Sequence, residues 1–294
     1  MILDVSETVF HVQGFSNAIT YSLSGRLGNH LQLFACERTL SLRHQWRFIY
    51  RPLIHAESFN FSAIFSHSLQ DKLDLFLIEH VLALSPKVKP RASRRHYLMQ
   101  TLLNPFRHVV YLDDSSWDTT NGMMGNLAPA YQQLHNTLFV IRFDGIFRNM
   151  GEHRQQLLTE ILPSSVYLPF EQIEKHDVGI HIRQDDIYYG LPMKYYLNAV
   201  RKANSELGMP IRLHLFSDGD HESLAAGLSG GVTDVEVIIH KGSVVEDMMS
   251  LARYPTLILS QSWFSYWAAM LSQATTVFSP PAFCYYAEWQ PVTF

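Results

Sequence analysis

From Val178 to Ser279 the chain alternates short runs rich in β-branched and aromatic residues with longer stretches of helical periodicity. The β-rich runs are VGIHIR, IRLHLFS, DVEVIIH, TLILS and TTVFS. Helices are predicted from Pro192 to Leu207, after His221, from Val244 to Tyr254, and from Ser262. Five strands separated by four helices predict right-handed βαβ crossovers and a parallel sheet wound on both faces. In the first of these helices Tyr196, Val200, Ala203 and Leu207 keep one stripe, Pro192 suits the first turn, and Gly208 is placed to end it.

The first half opens with a similar unit: AITYSL, a tight loop over Ser24–Gly28, a helix from Asn29 to His44, then WRFIY. Leu31, Leu33, Phe34, Cys36 and Leu40 spread over a wide arc, which predicts a helix buried on more than one side. The stretch from Ala63 to Phe106 reads as mostly helical. VVYLDD and TLFVIRF resume the strands before a helix near Arg154–Ile161. Prolines and serines over Pro163–Pro169 mark a boundary, dividing residues 1–165 from 166–294.

Composition narrows the classes. A chain of 294 residues that is 47% hydrophobic suits two packed cores. A formal charge of −4 and one short basic run, Arg91-Ala-Ser-Arg-Arg95, argue against a general nucleic-acid or anionic-membrane binder. No window of about 18 apolar residues is present, and MILDVSETVF lacks a secretory layout, so the reading is a cytoplasmic protein. Cys36 and Cys284 are too few for a disulfide framework and read as small hydrophobes.

In open α/β sheets ligands lie beyond the carboxyl ends of the strands, and here those ends are polar. One strand delivers His181 and Arg183, the next Ser217 and Asp218, and a third Ser260, Gln261 and Ser262 just before a helix. A guanidinium grips phosphate oxygens with two prongs, and serine hydroxyls beside free N–H groups at a helix start make an oxyanion site. Together they describe a diphosphate pocket in which Asp218 can accept from the N–H edge of guanine. The structural reading of the same residues is an ion pair between Arg183 and Asp185 or Asp186. Trp263, Phe264, Tyr266 and Trp267 can stack on sugar faces, although helix packing accounts for at least two of them. Asp218-Gly-Asp-His-Glu222 has the look of a metallophosphoesterase loop, but D-x-H, HExxH and CxxC spacings are absent and no metal site is expected.

Several ordered segments resemble the inverting α-1,2-fucosyltransferases of bacterial type. His181-Ile-Arg183-Gln-Asp-Asp and Leu191-Pro-Met-Lys-Tyr-Tyr196 are similar to H-x-R-R-x-D and L-P-x-x-Y-Y, and Phe216-Ser-Asp218 to F-S-D. Glu246-Asp-Met-Met-Ser-Leu251 and Ser262-Trp-Phe-Ser-Tyr-Trp-Ala268 resemble D-L-x-L-M-S and S-S-F-S-W-W-A. Gly25-Arg-Leu-Gly-Asn-His-Leu-Gln-Leu-Phe-Ala35 resembles G-G-L-G-N-Q-x-F-Q-Y-A, and Phe143-Asp-Gly-Ile-Phe147 a G-Y-F segment. Four positions depart from the pattern: Gln184 for the second arginine, Arg26 for a glycine, His30 for a glutamine, and Trp263 for a serine.

The resemblance implies an α/β, GT-B-like fold with two Rossmann-like domains, an N-terminal acceptor-side domain and a C-terminal GDP-fucose-binding domain, with a cleft between them. It implies metal-independent, inverting transfer of L-fucose from GDP-β-L-fucose to a sugar hydroxyl, often O2 of a galactoside. No cofactor beyond this donor is implied. The partners are the donor and an oligosaccharide acceptor, lipid-linked ones at the inner membrane face included. Arg183, Asp185 and Asp186 carry the expected catalytic roles. His181, Arg183, Ser217, Asp218, Ser262, Phe264, Ser265, Gly25, Gly28 and Asn29 carry the expected donor-binding roles. A non-catalytic glycan or sugar-nucleotide binder is the alternative.

Overall fold

The computed structural model describes residues 18–21, 26–51, 53–61, 72, 76, 108–112, 131, 133–135, 137–141, 153–162, 173–184, 190–283 and 286–294. The expected helical stretch Ala63–Phe106 lies almost wholly outside these residues, as do the 165/166 boundary, Gly25, Asp185, Asp186 and Cys284. Two compact units form. One comprises residues 1–22, 36–51 and 67–149, the other residues 23–35, 52–66 and 150–294.

The first unit holds a four-stranded parallel sheet in the order β2-β1-β4-β3. Its strands are β1 (Ala18–Tyr21), β2 (Arg47–Phe48), β3 (His108–Leu112) and β4 (Thr137–Ile141). β4 is buried at every position and Trp46 stacks on Phe139 at 4.3 Å. Helix α1 (Leu27–His44) crosses from one unit to the other. Leu31, Leu33, Phe34, Cys36 and Leu40 are all buried, as their wide arc predicts.

The second unit holds a six-stranded parallel sheet in the order β10-β9-β8-β5-β6-β7. The strands are β5 (Asp177–Ile182), β6 (Ile211–Ser217), β7 (Val235–Ile239), β8 (Thr256–Ile258), β9 (Thr276–Ser279) and β10 (Gln290–Pro291). Helix α2 (Arg154–Ile161) precedes them, and α3 (Met193–Leu207), α4 (His221–Gly231), α5 (Val244–Leu251) and α6 (Trp263–Leu271) connect them. β5 is buried throughout because helices cover both faces of a parallel sheet. Val178, Ile180, Leu213, Leu215, Tyr196, Val200 and Leu228 meet in one core. Each such side chain contributes about 1.5–3 kcal/mol on burial. α3 starts after Pro192 and stops at Gly208, whose φ of 66° is a left-handed end that glycine adopts without strain. Tyr195 reaches through this core and donates its hydroxyl to the Leu259 carbonyl at 2.8 Å, anchoring the end of β8.

Candidate functional site

The polar strand ends come together at the carboxyl edge of β5, β6 and β8. Parallel pairing sets Ile182 beside Ser217, so the residues that follow each strand are neighbours. Arg183 Nη1 lies 2.8 Å from Asp218 Oδ2, and Arg26 Nη1 lies 3.1 Å from the same oxygen. The backbone N–H of Gln184 donates to Asp218 Oδ1 at 2.8 Å. Two guanidiniums therefore share one carboxylate at the rim.

Two helix starts add to this field. Ser262 caps α6, its Oγ accepting from the Ser265 N–H at 3.3 Å. A Cβ at Gly28 would lie 2.6 Å from both Trp263 C and Phe264 N. Only glycine lets the first turn of α1 reach the first turn of α6. Both amino ends, each carrying a partial positive charge, are thus brought together. Asn29 is half-buried in that turn. His30, next along, is buried and accepts the Ile54 N–H at Nδ1 (3.1 Å). Burial, with the nearby His55 charge, holds its pKa below the ordinary value.

Behind the rim lies a hydroxyl cluster. His181 Nδ1 and Ser260 Oγ are 2.7 Å apart, and Ser260 Oγ is 3.0 Å from Ser262 Oγ and 3.1 Å from Ser265 Oγ. His181 packs on Phe264, ring centres 4.6 Å apart. Burial drives the His181 pKa down to about 3, the Asp218 carboxylate opposing and the Arg183 charge assisting. The imidazole is neutral at working pH.

The expected roles sort themselves on this geometry. The structure brings Arg183, Ser217, Asp218, Ser262, Phe264, Gly28 and His181 to one end of the sheet. Asp218 accepts from Arg183, Arg26 and the Gln184 N–H, and so orients Arg183. The ion pair of Arg183 links it to Asp218 on the neighbouring strand; Asp185 and Asp186 lie outside the described residues. Ser217 Oγ is committed to the Ile182 carbonyl (2.7 Å) and the Gly219 N–H (3.0 Å). Ser265 is fully buried, with its hydroxyl turned to the Ser260 carbonyl at 3.0 Å. Tyr266 and Trp267 are core residues, which leaves half-buried Trp263 and Phe264 as the aromatic candidates. The Gln184 side chain lies against Gly219, where an added Cβ would meet its Cβ at 2.7 Å.

Two residues escaped the sequence reading. Arg26 stood out only as a departure from a glycine, with no partner to suggest. Asp247 sits in the first turn of α5, two strands from β5, and accepts the Gly242 N–H at 2.9 Å. Burial raises its pKa, against the Gly242 bond and the His221 charge. Its signal was the capping box of Ser243 and Glu246 immediately before it.

Among the described residues no group of three or more His, Cys, Asp or Glu could hold a metal ion, and no helix is long and apolar enough to cross a membrane. No family model and no curated protein sequence matches the chain. Among solved structures it is similar to an Arabidopsis thaliana FUT1 point mutant in complex with GDP, with a TM-score of 0.54 and 11% identity over 96% of this chain and 74% of that one. POFUT1 in complex with GDP-fucose aligns at a TM-score of 0.45 and 10% identity, covering 90% and 97%. NodZ alpha-1,6-fucosyltransferase soaked with GDP-fucose aligns at 0.42 and 15%, covering 87% and 92%. The chain has the GT-B-like α/β fold of the first of these.

Proposed function

We propose that the protein is an inverting fucosyltransferase that moves L-fucose from GDP-β-L-fucose to a sugar hydroxyl, O2 of a galactoside being the acceptor that the motif resemblance implies. The observation that carries this reading is the anion site: Arg183 and Arg26 on one carboxylate, with the starts of α1 and α6 abutting through Gly28. The fold shared with a GDP complex supports it.

In this mechanism the acceptor oxygen attacks the anomeric carbon from the face opposite GDP, and the carbon–phosphate-oxygen bond breaks as the new glycosidic bond forms. The acceptor proton leaves to a base, for which Asp185 and Asp186 are the candidates. Charge grows on the departing β-phosphate, where Arg183, Arg26 and the two helix starts stabilise it. His181 and the serine cluster keep the α6 start in place. The base lies towards β7, two strand spacings or roughly 10 Å away, where Asp247 accepts from the N–H edge of guanine.

Calorimetry with GDP, UDP and ADP tests the donor, since neither uracil nor adenine presents the paired N–H donors of guanine. Equal affinities for the three would sink the assignment. Turnover of GDP-fucose with a panel of galactosides, the product linkage read by NMR, tests the acceptor. Because protein groups supply the positive charge, activity is expected to persist in excess EDTA; a loss restored by Mn²⁺ or Mg²⁺ would overturn that point.

A further inference from the structure

This inference rests on the nucleotide reading and concerns the stretch of ligand between diphosphate and base. In the six-stranded sheet β6 lies between β5 and β7. A nucleotide with its phosphates at Arg183 and its base at Asp247 therefore carries its ribose across the tip of β6, about 5 Å, one strand spacing, from either neighbour. The groups that meet the sugar are those that follow Ile182 and Ser217, which pair side by side.

Short bonds clasp this tip. Ser217 Oγ donates to the Ile182 carbonyl at 2.7 Å and accepts from the Gly219 N–H at 3.0 Å. The Gln184 N–H donates to Asp218 Oδ1 at 2.8 Å. Asp220 caps α4, its Oδ1 accepting from the Glu222 and Ser223 N–H groups at 3.2 and 3.3 Å. With its backbone held in this way, Gln184 lays its side chain over Gly219. A Cβ added at Gly219 would lie 2.7 Å from Gln184 Cβ and 2.8 Å from Gln184 Cδ, well inside carbon–carbon contact distance. Gly219 does not have the left-handed φ that Gly208 has, so glycine stands at 219 for the room it leaves and not for its backbone freedom. The Gln184 side chain is exposed, and its amide has no hydrogen-bond partner among the described residues.

A carboxamide carries an acceptor oxygen and an NH₂ donor side by side. The two hydroxyls of a ribose each donate and accept, so one amide can take a proton from one and give a proton to the other. Packing on Gly219 restricts the glutamine rotamers before a ligand arrives, which lowers the entropy lost on binding. We propose that Gln184, seated over Gly219, reads the ribose 2′- and 3′-hydroxyls of the donor nucleotide and is a specificity-determining residue for ribonucleotide over deoxyribonucleotide.

The test is calorimetry on the full chain with GDP, 2′-deoxy-GDP and 3′-deoxy-GDP. The wild type is expected to bind each deoxy analogue about three- to tenfold more weakly than GDP, the equivalent of one hydrogen bond. Gln184→Met keeps the length of the side chain without its amide, and is expected to bind all three alike, at the wild-type affinity for the deoxy analogues. Removing a hydroxyl also alters sugar pucker, but that effect would survive in Gln184→Met and a lost hydrogen bond would not. Gly219→Ala pushes an intact amide off its seat and should erase the same discrimination, whereas a packing role for Gln184 would leave the discrimination as it is. A wild type that binds GDP and both analogues alike overturns the proposal. So does discrimination that survives in Gln184→Met, which would hand the hydroxyls to another group at this tip, such as Asp220. A wild type that binds none of the three refutes the nucleotide reading and the role of Gln184 with it, while GDP binding that is blind to the sugar refutes the role of Gln184 alone.

Discussion

β5 and β6 carry an Arg–Asp pair at each end, and the two pairs are built differently. At the amino end Arg212 grips Asp177 with two prongs, and the carboxylate is backed by a main-chain N–H and an imidazole. At the carboxyl end Arg183 meets Asp218 through Nη1, and that carboxylate is shared with Arg26. The first pair is balanced and saturated, the pattern of a clamp between strands. The second shares one carboxylate between two guanidiniums beside two helix starts, an arrangement suited to an anion. Residue type is the same at both ends; what separates clamp from site is the number of cations per carboxylate.

The largest effect that separates the ends is on stability in acid. The folded-state pKa of His181, about 3, lies far below the unfolded value, so the folded state resists a proton that the unfolded chain takes up. Stability at the carboxyl end is therefore lost progressively as pH falls from 6.5 towards 3, by several kcal/mol. Asp177, with its pKa depressed, keeps its contribution until pH drops below the unfolded carboxylate value. Thermal melts from pH 7 to pH 4 should thus show a decline that His181→Asn largely removes. A pH-independent melting temperature over that range contradicts the assignment.

Next comes the direct exchange of roles. Arg183→Ala is expected to lower kcat by about 10²–10³-fold, roughly 2.7–4 kcal/mol, with little change in melting temperature. Arg183→Lys should restore only part, because an ammonium lacks the two-pronged geometry. Arg212→Ala should do the reverse, lowering the melting temperature while the folded enzyme keeps its turnover. The same pattern from both variants would erase the distinction between the two ends.

Asp247→Asn is expected to weaken GDP by about 1–3 kcal/mol, the range for a lost charged hydrogen bond, and UDP by less. Asp218→Asn should act chiefly on kcat, since that carboxylate orients Arg183. A GDP-specific affinity loss confined to Asp218→Asn would return the base to that residue. The smallest effect concerns the exposed Arg26, whose pairing with Asp218 contributes at most about 1 kcal/mol to stability. Arg26→Ala should leave the melt unchanged yet raise the GDP dissociation constant a fewfold, and Gln184→Arg should fail to compensate, because that side chain lies against Gly219. Full compensation would show that position 184 faces the phosphates.

The second sheet was legible because its strands and helices repeat cleanly and their ends carry local chemistry: Pro192 and Gly208 around α3, and Ser262 at α6. β10 was not, since a two-residue pairing has no period to detect and Pro291 argues against a strand. The site was legible as a set of strand ends. Its pairings were not, because the partner of Asp218 from α1's leading edge stands 192 positions away and no local rule links them. The same gap hides what Asp218 holds. F-S-D announces a carboxylate at a strand tip but not whether its oxygens are already taken, and only the neighbouring strand and the α1 loop decide that.

The abutment of α1 on α6 at Gly28 also bears on assembly of the chain as it is synthesised. Leu27, Leu31, Leu33 and Phe34 are made long before α6, which belongs to the same compact unit. Until α6 is made, the start of α1 lacks that wall, and contacts this distant in sequence close slowly. Expression yield is consequently expected to depend on holding chaperones, and a fragment that starts at residue 150 lacks the segment that completes its own anion site.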